Sequence, residues 1–271
     1  MKPAAFEYAR PKTVAEAVAL LAAGPDAKVL AGGQTLGPML NLRLAQPALL
    51  IDITRIPELA AVAEVAEAVT IGATVTHAAI EDGRIPDPTG GFLARVAGGI
   101  GYRAVRTRGT IGGSLAHADP AADWLSCLAA LGAEVLIAGV RARRRLPIAR
   151  LVRGAMETAL EASELIAGIR LPKFSSRARY GFHKICRKAG EFADAIGVVV
   201  DDPERQYFRA VCGATSGGPL VMDIKAEPDA RSFTVGKVRA LLQSAQFAGD
   251  AYELKLHAVA LQRAWREAYA P

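Results

Sequence analysis

Two pairs of adjacent glycines sit in similar settings, Gly32-Gly33 within 28-KVLAGGQTL-36 and Gly112-Gly113 within 110-TIGGSLAHADPAAD-123. Each follows apolar residues that suggest a strand and precedes small polar side chains, Gln34 and Thr35 in the first and Ser114 in the second. Glycine lets a backbone approach an anion closely, and successive N–H groups in such a turn can form an anion-binding nest. Two turns of this kind could hold a pyrophosphate between them. A glycine pair can also be a tight corner or a site of close strand packing, and in a chain with 26 glycines one pair alone does not separate these readings. Neither GxGxxG nor GxxxxGK[ST] is present, so neither a Rossmann crossover nor a Walker A loop is supported.

Behind the second pair lie two carboxylates, Asp119 and Asp123. Asp119 precedes Pro120 and either caps a helix starting near Ala121 or accepts hydrogen bonds from ligand hydroxyls near the phosphate site. Asp123, one turn in, either favours the helix dipole or accepts hydrogen bonds from ligand hydroxyls beside the phosphate site. His117 reads as a surface or capping residue.

The elements that must position these groups follow from pattern and punctuation. A helix is expected over 13–24, with Thr13 as cap, Glu16 completing a capping box and Gly24 as stop. After a turn at Pro25 and Asp26 come strand 28–32, a short helix over 36–45 with Pro38 in its first turn, and strand 48–53. Residues 61–76 read as strands joined by a turn, 77–82 and 91–100 as helices. The segment from 108 reads as a strand-like entry, a glycine turn and a helix from about Ala121, followed by strands at 133–138 and 164–172. Strands at 182–188, 194–202 and 207–216 and helices at 234–246 and 250–269 complete the chain. The succession predicts an α+β protein in three parts.

With 51% hydrophobic residues and 22% charged, the chain is a folded globular protein rather than a disordered one. The densest basic cluster, 141-RARRR-145, has no accompanying stacking aromatics and reads as a solvated loop, so no nucleic-acid partner is expected. Cys127, Cys186 and Cys212 are far apart, with no CxxC or Cys/His spacing, so no metal site is expected in this chain. Neither a signal peptide nor a membrane span is read, which points to the cytoplasm.

The phrases AGGQTL at 31–36, TIGGSLAHADPAAD at 110–123, ELIAGIRLP at 164–172 and KICRKAGEFADA at 184–195 closely resemble the FAD-binding medium subunits of molybdenum hydroxylases, such as carbon monoxide dehydrogenase and the xanthine dehydrogenase flavin domain. The resemblance implies a two-subdomain FAD-binding domain of the vanillyl-alcohol-oxidase (PCMH) type, over 1–57 and 58–175, and a small sheet-and-helix domain over 176–271. It assigns the FAD pyrophosphate to the backbone of Ala31, Gly32, Gly33, Gln34, Thr35 and Leu36 on one side and of Thr110, Ile111, Gly112, Gly113 and Ser114 on the other, and Val29 and Leu30 of the strand leading in are counted with the cofactor-binding residues. It assigns the flavin's sugar-alcohol chain to Asp123 and places further FAD contacts at Ile100, Ile166 and Lys184. Ser114 stands where the family commonly has asparagine, and Phe192 where the carbon monoxide dehydrogenases have a tyrosine near the flavin ring.

The same resemblance implies partners: a large subunit with a molybdopterin-type molybdenum cofactor, a small subunit with two [2Fe-2S] clusters, a dimer of heterotrimers, and an external electron acceptor. This chain would then contribute no catalytic acid or base. A free-standing FAD-dependent oxidoreductase is the alternative, but the tract after the FAD motifs looks helical and basic, which suits docking better than substrate binding.

Overall fold

The computed structural model describes residues 1–24, 26–222, 224 and 233–270. The expected turn residue Pro25 lies outside the described residues. The chain opens with β1 (Glu7–Ala9), α1 (Val14–Ala23), β2 (Ala27–Leu30), α2 (Leu36–Asn41) and β3 (Leu49–Asp52), and the strands form a parallel sheet in the order β1-β3-β2. Helix α1 buries Val14, Ala17, Val18 and Leu21 against Ile51 of this sheet and against Ala138 and Leu165 from the next one. Thr13 caps α1 by accepting from the Glu16 N–H, but the Glu16 carboxylate reaches the N–H of Lys12 instead of Thr13, so half of the expected capping box forms. Tyr8 on β1 donates to Asp52 at the end of β3, which also accepts from the Thr54 N–H and hydroxyl, tying the sheet's edge to its centre.

The middle of the chain contains α3 (Pro57–Ala60), β4 (Val62–Glu64), β5 (Ala68–Gly72), α4 (His77–Glu81), α5 (Phe92–Gly98), α6 (Arg103–Arg108), α7 (Ile111–His117), α8 (Asp123–Ala130), β6 (Glu134–Ala138), β7 (Arg143–Pro147), the short hairpin of β8 (Val152–Gly154) with β9 (Glu157–Thr158), and β10 (Leu165–Pro172). The strands pair antiparallel as β4-β5-β10-β6-β7. Two expectations are corrected here. Arg143, Arg144 and Arg145 of the basic cluster open the edge strand β7, Arg143 and Arg145 exposed and Arg144 half-buried, with Arg143 paired to Glu58 at 2.6 Å and Arg144 to Glu164 at 2.6 Å, while Arg141 stays in the loop before it. Charged side chains on an edge strand deter pairing with another chain, so charge here marks a strand edge rather than a loop. The presumed glycine turn after Arg108 is helix α7, because Thr110 caps it by accepting from the Gly113 N–H at 3.1 Å. The following helix begins at Asp123, two positions later than expected.

The last sheet, β11 (Arg179–Ile185), β12 (Ala195–Asp202), β13 (Tyr207–Gly213) and β14 (Leu220–Met222), is antiparallel in chain order and carries α9 (Val235–Ser244) and α10 (Ala251–Ala268). Strand β12 is buried along its whole length because both faces are covered. Ile196, Val198 and Val200 enter the core built on α8 and the middle sheet, whereas Val199 packs with Leu261 and Trp265 of α10. The apolar run over residues 195–200 is what a strand covered on both faces requires, and the buried carboxylates that follow are hydrogen-bonded, Asp201 by the Tyr269 hydroxyl and Asp202 by the Ser175 hydroxyl. Helix α8 is buried at every position, and its Trp124, Leu125 and Leu128 join the middle core to the last sheet.

Candidate functional site

The β2–α2 loop and the Arg108–Gly109 segment meet backbone to backbone. A Cβ placed on Gly32 would lie 2.2 Å from the Arg108 carbonyl oxygen, so only glycine permits this contact. Beside the junction opens a cleft of about 350 Å³. Its walls come from the β2–α2 loop, α4, the turn at Ile100, the segment from Gly109 through α7, the N-terminus of α8, Ile166 of β10, and Phe192 between β11 and β12. The structure therefore brings together Val29, Ala31, Gly32, Gly33, Gln34, Thr35, Leu36, Ile100, Thr110, Gly112, Gly113, Ser114, Asp119, Asp123 and Ile166. Three nominated residues do not line it. The Leu30 side chain packs toward Gly33, Ile111 is fully buried in the middle core, and Lys184 stands behind Asp123.

The glycine pairs differ in what their backbones offer. At the first, Gly33 adopts φ of 72°, the left-handed region that glycine enters without strain. The N–H groups of residues 32 to 36 have no acceptor among the described residues. Thr35 begins α2 without a side-chain cap, which leaves these amides open to the cleft. At the second, Ile111 N–H donates to Val75, Gly112 N–H to Ala73, Gly113 N–H to the Thr110 hydroxyl and Ser114 N–H to the Thr110 carbonyl. Only the Thr110 N–H of this stretch lacks an acceptor among the described residues. The expectation of two like nests thus meets one open nest and one closed helical turn. The second segment can offer side chains, such as the Ser114 hydroxyl, more readily than amides.

Asp123, also in the cleft lining, is the first residue of α8, and only 6% of its side chain is exposed. Lys184 on β11 donates to both carboxylate oxygens, at 3.0 and 3.1 Å. Burial raises the Asp123 carboxyl above the usual range, and the Lys184 ammonium pulls it back toward the charged form. A carboxylate buried against a lysine and facing a cleft can still accept from ligand hydroxyls. Asp119 does not cap α8: its Oδ1 accepts from Ala121 N–H at 2.9 Å, closing a turn ahead of the helix. The turn at Ile100 is held by Arg106, whose guanidinium donates to the Ile100 and Gly101 carbonyls and pairs twice with Glu81. Phe192 is 62% exposed at the cleft's mouth. Open amide donors, a hydroxyl-accepting carboxylate and the apolar side chains of Ile100, Ile166 and Phe192 in one cleft are the chemistry that the phosphates, sugar alcohol and ring system of FAD require.

Sequence reasoning missed His77, which heads α4 and lines the cleft although 5% exposed. Trp124 Nε1–H donates to its Nδ1 at 3.1 Å. Burial, with the nearby Arg106 cation, lowers its pKa to about 4. The partner lies 47 positions along the chain, so no local pattern announces it.

Residues 4–174 match the family described as the FAD binding domain in molybdopterin dehydrogenase. The chain belongs to that family. Over 201 residues it is 42% identical to the carbon monoxide dehydrogenase medium chain of Hydrogenophaga pseudoflava, spanning 74% of this chain and 70% of that one. Over 236 residues it is 35% identical to the nicotine 6-hydroxylase medium subunit of Paenarthrobacter nicotinovorans, spanning 87% and 82%. In solved carbon monoxide dehydrogenase from Hydrogenophaga pseudoflava lacking the Mo-pyranopterin moiety of its molybdenum cofactor, one chain superposes with a TM-score of 0.89 at 34% identity, over 100% of this chain and 99% of that chain. A chain of quinoline 2-oxidoreductase from Pseudomonas putida 86 gives 0.84 at 28% identity, over 99% and 98%. The α+β fold is thus that of the family's FAD-binding subunits, and the chain is an oxidoreductase component that takes FAD. The matched span holds both glycine pairs and Asp123, while Lys184 and Phe192 lie beyond it. No helix among the described residues is long and apolar enough to cross a membrane.

Proposed function

We propose that this chain is the FAD-carrying medium subunit of a multi-subunit molybdenum hydroxylase. In this reading a large partner holds a molybdopterin-type cofactor, a small partner holds two [2Fe-2S] clusters, and the assembly is a cytoplasmic dimer of heterotrimers. Electrons pass from the clusters through this chain to an external acceptor. Bound FAD supplies the redox chemistry, and the protein supplies orientation and electrostatics. The open amides of residues 32–36 bind the phosphates, Asp123 receives the sugar-alcohol hydroxyls with Lys184 holding it charged, and Ile100, Ile166 and Phe192 keep water from the ring system. No side chain of this subunit is assigned as an acid or base, because the organic substrate is handled by the large partner. The divisions 1–57, 58–175 and 176–271 serve as the first part of the FAD cleft, its second part and the docked sheet that carries Lys184.

The observation that carries this reading is the single cleft joining the free amides of 32–36 to the Asp123–Lys184 pair, in a chain matching a medium-subunit relative over nearly its full length. Affinity purification of the tagged chain from its source cells is expected to recover yellow protein, absorbing at about 450 nm, together with a molybdenum subunit and an iron–sulfur subunit. Recovery of the flavoprotein alone, oxidising an organic substrate by itself, would favour a free-standing oxidoreductase instead.

A further inference from the structure

The diphosphate of FAD is a doubly charged anion, yet the only lysine or arginine among the described residues lining the cleft is the exposed Lys28. Lys184 is committed to Asp123. Counter-dipoles must therefore come from neutral donors, and the amides of 111–114 are already taken by Val75, Ala73 and Thr110. The segment from Gly109 to Ser114 nevertheless lines the cleft, packed beside the loop that carries the open amides.

His77 fills that gap in donors. Its backbone N–H donates to the Gly109 carbonyl at 2.9 Å, which sets the ring beside the segment. Its Nδ1 accepts from Trp124, a fully buried indole, so the single proton of the neutral ring sits on Nε2. Nothing among the described residues accepts from Nε2. A Cβ on Gly109 would lie 3.0 Å from Nε2 and 2.9 Å from Cδ2, so the missing side chain at Gly109 is what leaves this edge of the ring uncovered. A side chain nineteen-twentieths buried with an unpartnered donor at a cleft wall has a ligand as its natural acceptor.

We propose that His77 is a phosphate ligand of the FAD site: Trp124 fixes its ring, and its Nε2–H donates to a diphosphate oxygen held against the Gly109–Ser114 segment. Burial keeps the ring neutral at physiological pH, so it acts as a directed dipole and not as a cation. The inference rests on the FAD reading above and adds to it a second-segment donor that the glycine motif does not contain.

The test uses the full-length chain stripped of FAD, titrated with FAD and with riboflavin, which lacks phosphate. His77→Phe keeps an aromatic ring and removes the donor, while His77→Gln returns an N–H near the position of Nε2. FAD binding is expected to weaken roughly ten- to hundredfold in His77→Phe, with riboflavin binding unchanged and His77→Gln recovering most of the loss. Unchanged FAD affinity in His77→Phe, or equal weakening of FAD and riboflavin, overturns the proposal. If His77→Phe does not fold, the wild-type ring is read by ¹H–¹⁵N NMR: the Nε2–H resonance should move on adding FAD and stay put on adding riboflavin, and the same response to both ligands overturns the assignment. A wild-type chain that binds FAD no better than riboflavin would remove the diphosphate reading itself.

Discussion

The two glycine pairs share their letters and divide their labour. The first glycine of each pair is a packing residue: a Cβ on Gly32 would strike the Arg108 carbonyl, and one on Gly112 would come within 2.5 Å of the Ala73 Cβ and 2.7 Å of its carbonyl. The second glycines part company. Gly33 holds a left-handed turn whose neighbouring amides are unbonded, whereas Gly113 sits in a helical turn whose amides are used internally. A motif read twice can thus leave its amides open once and spend them on architecture once, and the account of N–H acceptors separates the two.

Substitutions can break this contrast or sharpen it. The largest effect is expected for Gly112→Val, which drives a branched side chain into Ala73: about 3 kcal/mol or more in urea unfolding of the FAD-free chain. Lys184→Met is expected to cost about 3 kcal/mol by leaving Asp123 buried without its counter-charge. That variant also has a signature in pH. An Asp123 carboxyl raised above its unfolded value binds protons more readily in the folded state, so the variant should regain stability as pH falls from 7 toward 5, relative to wild type. A parallel pH profile for the two proteins would break the assignment of a second region that works through side chains. Gly33→Ala should cost about 1–2 kcal/mol from backbone strain and weaken FAD roughly tenfold or more by re-aiming the open amides. Gly113→Ala should cost about 1 kcal/mol by displacing the Thr110 hydroxyl, 2.8 Å from the new Cβ, with a smaller loss of FAD affinity. Equal FAD losses in the last two variants would mean that the pairs do the same job after all.

The sequence carried the elements whose signals are local. Strand β12 is written as an apolar run over residues 195–200 ahead of two aspartates, and α10 shows its capping box in Asp250 and Glu253. The cleft's first wall was legible for the same reason, since strand, glycine and helix follow one another within nine residues from Lys28 to Leu36. What remained hidden depends on long-range contacts. Helix α7 looked like a turn because two glycines and a β-branched isoleucine are poor helix formers, and it is the Thr110 cap and packing on Ala73 that override propensity there. Asp119 looked like a cap because Asp before Pro is a common helix entry, but its carboxylate bonds the second residue on. His77 was illegible because its orientation is set by Trp124.

The Asp123–Lys184 pair joins segments made at different times. During synthesis both glycine segments and Asp123 leave the ribosome before β11 does, and until β11 docks the carboxylate has no lysine beside it. On the proposed function the last sheet would latch the cleft, and newly made protein should become able to retain its flavin in the same event that brings β11 into place.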